Sequence, residues 1–137
     1  MPRFVVLSHD HPVLHWDLML EQGDALRTWR LARFPDTVEP IDAEQLPDHR
    51  TAYLDYEGPI SGGRGTVKRW DAGSYEPVNE DAGNEGAREG APDRVVVRFA
   101  GAKLAGVASL TRTSGERWIF KLLVPPDPAP QPDERDC

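Results

Sequence analysis

Turn residues recur so often along this chain that little of it has room for a helix. Gly, Pro, Asp and Ser break it into short runs. Residues 4–7 form an apolar run. Residues 15–21 (HWDLMLE) alternate, with Trp16, Leu18 and Leu20 on one face and His15, Asp17, Met19 and Glu21 on the other. Gly23-Asp24 then predicts a hairpin turn into residues 25–32. Further strands are predicted over 53–56, 66–70, 74–75, 94–99, 107–113 and 117–123, with 71–73 as punctuation and 113–116 as the last hairpin turn. Roughly eight short strands at close spacing predict an all-β fold, a barrel or a sandwich. One helical turn is expected over 43–46, with Asp42 as its N-cap.

Two segments lie outside that pattern. Residues 76–93 (EPVNEDAGNEGAREGAPD) hold no aromatic and six acids against Arg88, and read as an acidic mobile loop. Residues 124–137 carry five prolines and read as an extended, disordered tail. The expected organisation is one domain over 1–123 and a tail over 124–137. The formal charge of −7 argues against a nucleic-acid partner when taken whole. The loop contributes −5 and the tail −3, however, which leaves the rest of the chain at +1. That remainder can meet one phosphate end but lacks the charge to coat a duplex. No run approaches the roughly 20 apolar residues of a membrane span. The first residues are too soon interrupted by Ser8-His9-Asp10 to read as a signal peptide. The single cysteine, Cys137, excludes a disulfide within the chain. A cytoplasmic setting without membrane contact is the expectation.

All four histidines precede Arg50. His15 and Asp17, two apart on a predicted strand, leave the same face, and a short turn brings His9 beside them. Two imidazoles and a carboxylate form a facial metal set that suits Mn²⁺, Fe²⁺ or Zn²⁺. The same spacing also fits a plain hydrogen-bonded surface pair. His11 is an exposed turn residue or a stand-in for one of the other two. His49 and Tyr53 read either as phosphoryl-oxygen donors or as a capped turn histidine and a core tyrosine. Arg27, Arg30 and Arg33 flank Trp29. Alternation puts Arg27 and Arg33 on the tryptophan's face and Arg30 on the other, as a phosphate fork or as a solvated strand face. Arg64, Lys68 and Arg69 form a second basic stretch beside a Gly-rich turn. That turn is not a Walker loop, and no Gly-x-Ser-x-Gly is present.

The run from His9 to Glu21 (HDHPVLHWDLMLE) resembles the signature of the DNA ligase D 3′-phosphoesterase domain family. Leu26-Arg27-Thr28-Trp29, His49 with Tyr53, Asp55-Tyr56-Glu57-Gly58, Gly65-Thr66-Val67 and Trp70-Asp71-x-Gly73-x-Tyr75-Glu76 continue the match in order. So do Gly101-x-Lys103-Leu104-x-Gly106 and Trp118-x-x-x-Leu122, to a coverage of about residues 3–123. The resemblance implies a compact closed β-barrel with short helical turns outside. It implies a stand-alone, Mn²⁺-dependent enzyme that removes a 3′-ribonucleoside and then a 3′-phosphate from DNA or RNA ends in repair. Separate ligase or polymerase proteins would be its partners. The implied metal ligands are His9, His15 and Asp17. The implied catalytic residues are His49, His15 and Asp17, with Arg33, Tyr53, Arg27 and Arg64 toward the phosphate. The chain departs from the family's pattern at Leu7, Met19 and Pro47, where the family carries Gln, Arg and Glu. A barrel that kept its metal pocket but only binds 3′ ends is the alternative function. An Fe²⁺ oxygenase is a weaker third.

Overall fold

The structure, a computed structural model, describes residues 2–37, 39–78 and 94–124. Nine strands are formed: β1 (Arg3–His9), β2 (His15–Gln22), β3 (Ala25–Leu31), β4 (Ile41–Arg50), β5 (Gly58–Pro59), β6 (Thr66–Pro77), β7 (Arg94–Gly101), β8 (Ala105–Ser114) and β9 (Arg117–Val124). A single 3-10 turn spans Thr51–Leu54. The sheet order is β1-β2-β3-β4-β9-β8-β7-β6-β5, and β1 also pairs with β6. Eight antiparallel strands therefore close into a barrel, with β5 hung outside on β6. Closure removes the free sheet edges that an open sheet would expose. Among the described residues no helix is long and apolar enough to cross a membrane.

Alternation divides each strand between the inside of the barrel and its outer face. Phe4 and Val6 of β1, with Leu18 and Leu20 of β2, point in and join Trp29, Leu31, Phe99, Trp118 and Phe120 in the main core. The Trp29 and Trp118 rings meet edge to face at 5.5 Å. Val5, Leu7, Met19, Leu26 and Val67 point out and form a second cluster under Leu54 of the 3-10 turn. Both faces of β1 are thus covered, which is why residues 4–7 read as a continuous apolar run rather than an alternating one. The segment after β4 is fastened to the barrel by an Arg3–Asp55 ion pair at 2.7 Å and by the Arg69 amide donating to Glu57 at 2.6 Å.

Several boundaries differ from the sequence reading. Residues 43–46 belong to β4, not to a helix: pairing with β3 on one side and β9 on the other overrides their helix-favouring side chains. Residues 53–56 are not a strand, since Tyr53 and Leu54 lie in the 3-10 turn. Residues 71–73 do not interrupt β6. Gly73 pairs with Gly101, where a Cβ on either would collide with the neighbouring strand or with Asp71. Asp71 accepts backbone N–H bonds from Ala102, Lys103 and Leu104 at 3.0, 2.9 and 2.6 Å, which closes the β7–β8 turn. The expected acidic loop begins later than residue 76, because Glu76 and Pro77 still pair with β7. Its remainder from 79 to 93, and the expected tail beyond Val124, lie outside the described residues.

Candidate metal centre

The centre lies on the outer face of β1 and β2, next to the loop that joins them. His9 pairs directly with His15, and Asp17 with Leu7. Cross-strand partners share a face, so the two imidazoles and the carboxylate converge. One ligating atom from each of His9, His15 and Asp17 lies within 4.8 Å of the others. Asp17 bridges the pair, with Oδ1 3.2 Å from His15 Nε2 and Oδ2 3.6 Å from His9 Nδ1.

Backbone carbonyls set both imidazoles. His15 Nδ1 donates to the Val13 carbonyl at 2.7 Å, and His9 Nε2 to the Arg64 carbonyl at 2.8 Å. In neutral rings, that leaves the lone pairs of His15 Nε2 and His9 Nδ1 directed at Asp17. Each ligand's second nitrogen is tied down in the way metal-binding histidines require. The loop that supplies the Arg64 carbonyl is itself locked to the loop after β1. Asp10 Oδ1 accepts from the Thr66 amide at 2.8 Å, and Gly65 (φ 80°) lies too close to Asp10 and His11 for any side chain.

Two of the three are buried, His15 6% and Asp17 3% exposed, and His9 is half-buried. His15 Nε2 and Asp17 Oδ1 nonetheless have no directed hydrogen-bond partner. Two unsatisfied buried polar atoms facing each other are costly unless something lies between them. A divalent cation fits that donor set. Burial works against a charged His15, but the Asp17 carboxylate and the Val13 carbonyl outweigh it and hold its pKa above the ordinary imidazole value, while Arg30 opposes them.

The other sequence-derived residues are distributed around this centre. His11 is exposed on the rim, its ring 6.4 Å from that of His9. His49 lies at the end of β4, opposite Leu26, where Pro47 and Asp48 bulge against the single residue Arg27. The bulge shifts the alternation by one and turns His49 to the outer face. His49 Nδ1 donates to the Pro47 carbonyl at 2.9 Å, and its ring meets Tyr53 at 5.7 Å. Tyr53 packs on the outer cluster that includes Leu7 and Met19, the residues next to Asp17 on that face. Between the centre and the His49–Tyr53 pair the floor is therefore apolar.

Arg27 points inward instead, over the rings of Trp29 and Trp118 at 4.9 and 5.5 Å, and burial lowers its pKa. The geometry does not bring it to the His–Asp cluster. Arg64 is at the rim, with Nε on the Ser61 carbonyl at 2.8 Å. Arg33 is exposed in the segment after β3, and among the described residues no ion pair or hydrogen bond joins it to the cluster.

The sequence reading weighed Arg30 only as one of several arginines that could meet a phosphate, yet this arginine stands directly across from Asp17. A signal for it was present. A two-residue turn at Gly23-Asp24 fixes the register of the hairpin, and that register pairs Asp17 with Arg30.

Comparisons with known proteins place the chain in a family. The family model described as "DNA Ligase D 3′-phosphoesterase domain" matches residues 7–112. The chain is 33% identical over 117 residues to "Multifunctional non-homologous end joining protein LigD" of Pseudomonas aeruginosa, covering 82% of this chain and 13% of that protein. It is 32% identical over 126 residues to the protein of the same name from Mycolicibacterium smegmatis, covering 85% and 16%. With "Multifunctional non-homologous end joining DNA repair protein LigD" of Mycobacterium tuberculosis it shares 30% identity over 122 residues, covering 85% and 15%. The chain thus spans about a seventh of the length of these relatives. The matched region takes in His9, His15, Asp17 and the barrel strands from the end of β1 to most of β8, and the chain belongs to the DNA ligase D 3′-phosphoesterase domain family.

Proposed function

We propose that the chain is a metal-dependent 3′-end phosphoesterase, acting on DNA or RNA-containing 3′ ends in end-joining repair. The observation that carries this reading is the pair of imidazoles, each fixed by a backbone carbonyl and each presenting its free nitrogen to Asp17. The family membership and the names of the relatives support the substrate class. His9, His15 and Asp17 would hold the cation, Mn²⁺ by preference, with Zn²⁺ or Fe²⁺ compatible with the same donors. When bound, such a cation polarises a phosphoryl oxygen and orients the attacking oxygen.

The chain's own groups do the rest. The Pro47 carbonyl holds His49 Nδ1–H, so Nε2 is the atom available to pass a proton to the leaving oxygen. Tyr53 sets the tilt of that ring and excludes water from its inner side. Separate ligase and polymerase proteins acting on the same break are the partners this role calls for.

Incubation of a 3′-phosphorylated oligonucleotide with the protein and Mn²⁺ tests the reading. Release of phosphate by the wild type, abolished in His15→Ala, is expected. Equal inertness of the two proteins sinks it.

The apolar floor supplies a second reading. Met19, 1% exposed, lies beside Asp17 where a polar group would help to hold phosphate. A module that binds 3′ ends through its metal without turnover would show tight Mn²⁺-dependent binding and no product.

A further inference from the structure

One cation on the face of the metal centre has no part in the reading above. Arg30 pairs with Asp17 across the β2–β3 ladder and leaves the same outer face. Its guanidinium leans toward β4, where Nη1 lies 3.7 Å from Glu44 Oε1. That is a long, half-exposed ion pair to one oxygen, of little strength. Arg30 Nε is buried and has no hydrogen-bond partner. Among the described residues no ion pair joins Arg30 to Asp17, although the two stand opposite each other on one face. Arg64, at the rim of the centre, is engaged on Ser61 through Nε and Nη2, and Arg27 lies inside the barrel over two indoles.

A planar guanidinium with unspent donors is matched by two oxygens of one anion. A phosphate held at the His–Asp cluster presents such oxygens on the side that faces Arg30.

Beyond Arg30 a groove of about 900 Å³ runs from His15 across β3 and β4 to the β8–β9 turn. Val13, Leu14, Ala32 and Ile119 give it apolar walls. Asp42, Glu44 and Glu116 there outnumber Arg30 and Arg117, so no net positive charge remains for a run of phosphates. Its character suits one sugar and base attached to a single phosphate.

We propose that Arg30 grips the terminal phosphate at the metal centre, exchanging Glu44 for it, and that the groove beyond holds the attached nucleoside. This rests on the metal-centre reading above. It adds the residue that selects the anion and the size of the group the anion carries.

Titrations of inorganic phosphate, a 3′-phosphorylated oligonucleotide and its 5′-phosphorylated isomer into Mn²⁺-loaded wild type, Arg30→Gln, Arg30→Lys and Glu44→Gln test it. Electron paramagnetic resonance reports Mn²⁺ affinity in parallel. Arg30→Gln is expected to bind Mn²⁺ as the wild type does, but phosphate ends about 10- to 100-fold more weakly. Arg30→Lys should recover part of the loss, having the charge without the fork. Glu44→Gln, which breaks the same ion pair, should bind phosphate at least as tightly as the wild type.

The proposal falls if Arg30→Gln binds phosphate ends normally, or if Glu44→Gln loses as much as Arg30→Gln. Tighter binding of the 3′-phosphorylated end than of inorganic phosphate supports the nucleoside groove, and equal binding overturns it. Wild-type turnover is scored separately. Arg30-dependent binding without product would sink the phosphoesterase reading and leave this one standing.

Discussion

At Gly65 an added methyl group would run into Asp10 and His11, and a φ of 80° is itself strained for any L side chain. The Arg64 carbonyl that fixes His9 is the residue before it. Gly65→Ala should therefore displace that carbonyl and free the His9 ring. Loss of an orienting partner of this kind costs about 10- to 100-fold in metal affinity. Mn²⁺ titration of the variant should show that loss, with a lowered melting temperature. An unchanged affinity would mean that the Arg64 carbonyl does not orient His9. At this scale the sequence was partly legible. The His-x-Asp spacing put two candidate ligands on one face. The carbonyl partners were not readable, because a backbone acceptor from a loop 55 positions away leaves no trace in residue type.

Among the strands, β4 and β6 are where local pattern and tertiary pairing part. The run Asp42-Ala43-Glu44-Gln45-Leu46 favours a helix by composition, but two neighbouring strands claim its backbone donors and acceptors. Pro47 would end a regular strand; here it sits in the bulge, where its missing N–H goes unneeded. In β6, Asp71 and Gly73 look like turn residues because both serve a turn, although the turn is the one in the neighbouring hairpin. Three backbone donors depend on the Asp71 carboxylate. Asp71→Ala should cost about 3 kcal/mol in urea unfolding, since one buried and two part-buried amides would lose their acceptor. Mn²⁺ affinity should stay unchanged, because the β7–β8 turn does not touch the metal centre. A change in affinity equal to that of Gly65→Ala would contradict this separation.

Over the whole molecule, the count of short strands and the density of turns left a barrel and a sandwich both open, and only the family resemblance implied closure; the order β4-β9-β8 needed pairing information that one sequence does not carry. Charge is the other whole-molecule property. Residues 76–93 and 124–137 together carry −8, and the rest of the chain is +1. A protein that grips one terminal phosphate releases few counterions. Binding of a single-stranded 3′-phosphorylated oligonucleotide should weaken with salt at a log–log slope of about −1, the value for one or two phosphate contacts. A slope several times steeper would indicate that the chain tracks a long stretch of backbone instead.

The alternation along β2 has a last consequence. Trp16, Leu18 and Leu20 write one message, which the barrel interior reads; His15, Asp17 and Met19 write another, which the outside reads. The two texts are interleaved letter by letter, so each can be revised without touching the other. Neither survives a frame shift. One residue inserted into β2 would turn the ligands into the core and the core into water at a stroke. A substitution on this strand disturbs one face, whereas an insertion disturbs both. Variation in length therefore belongs in the loops.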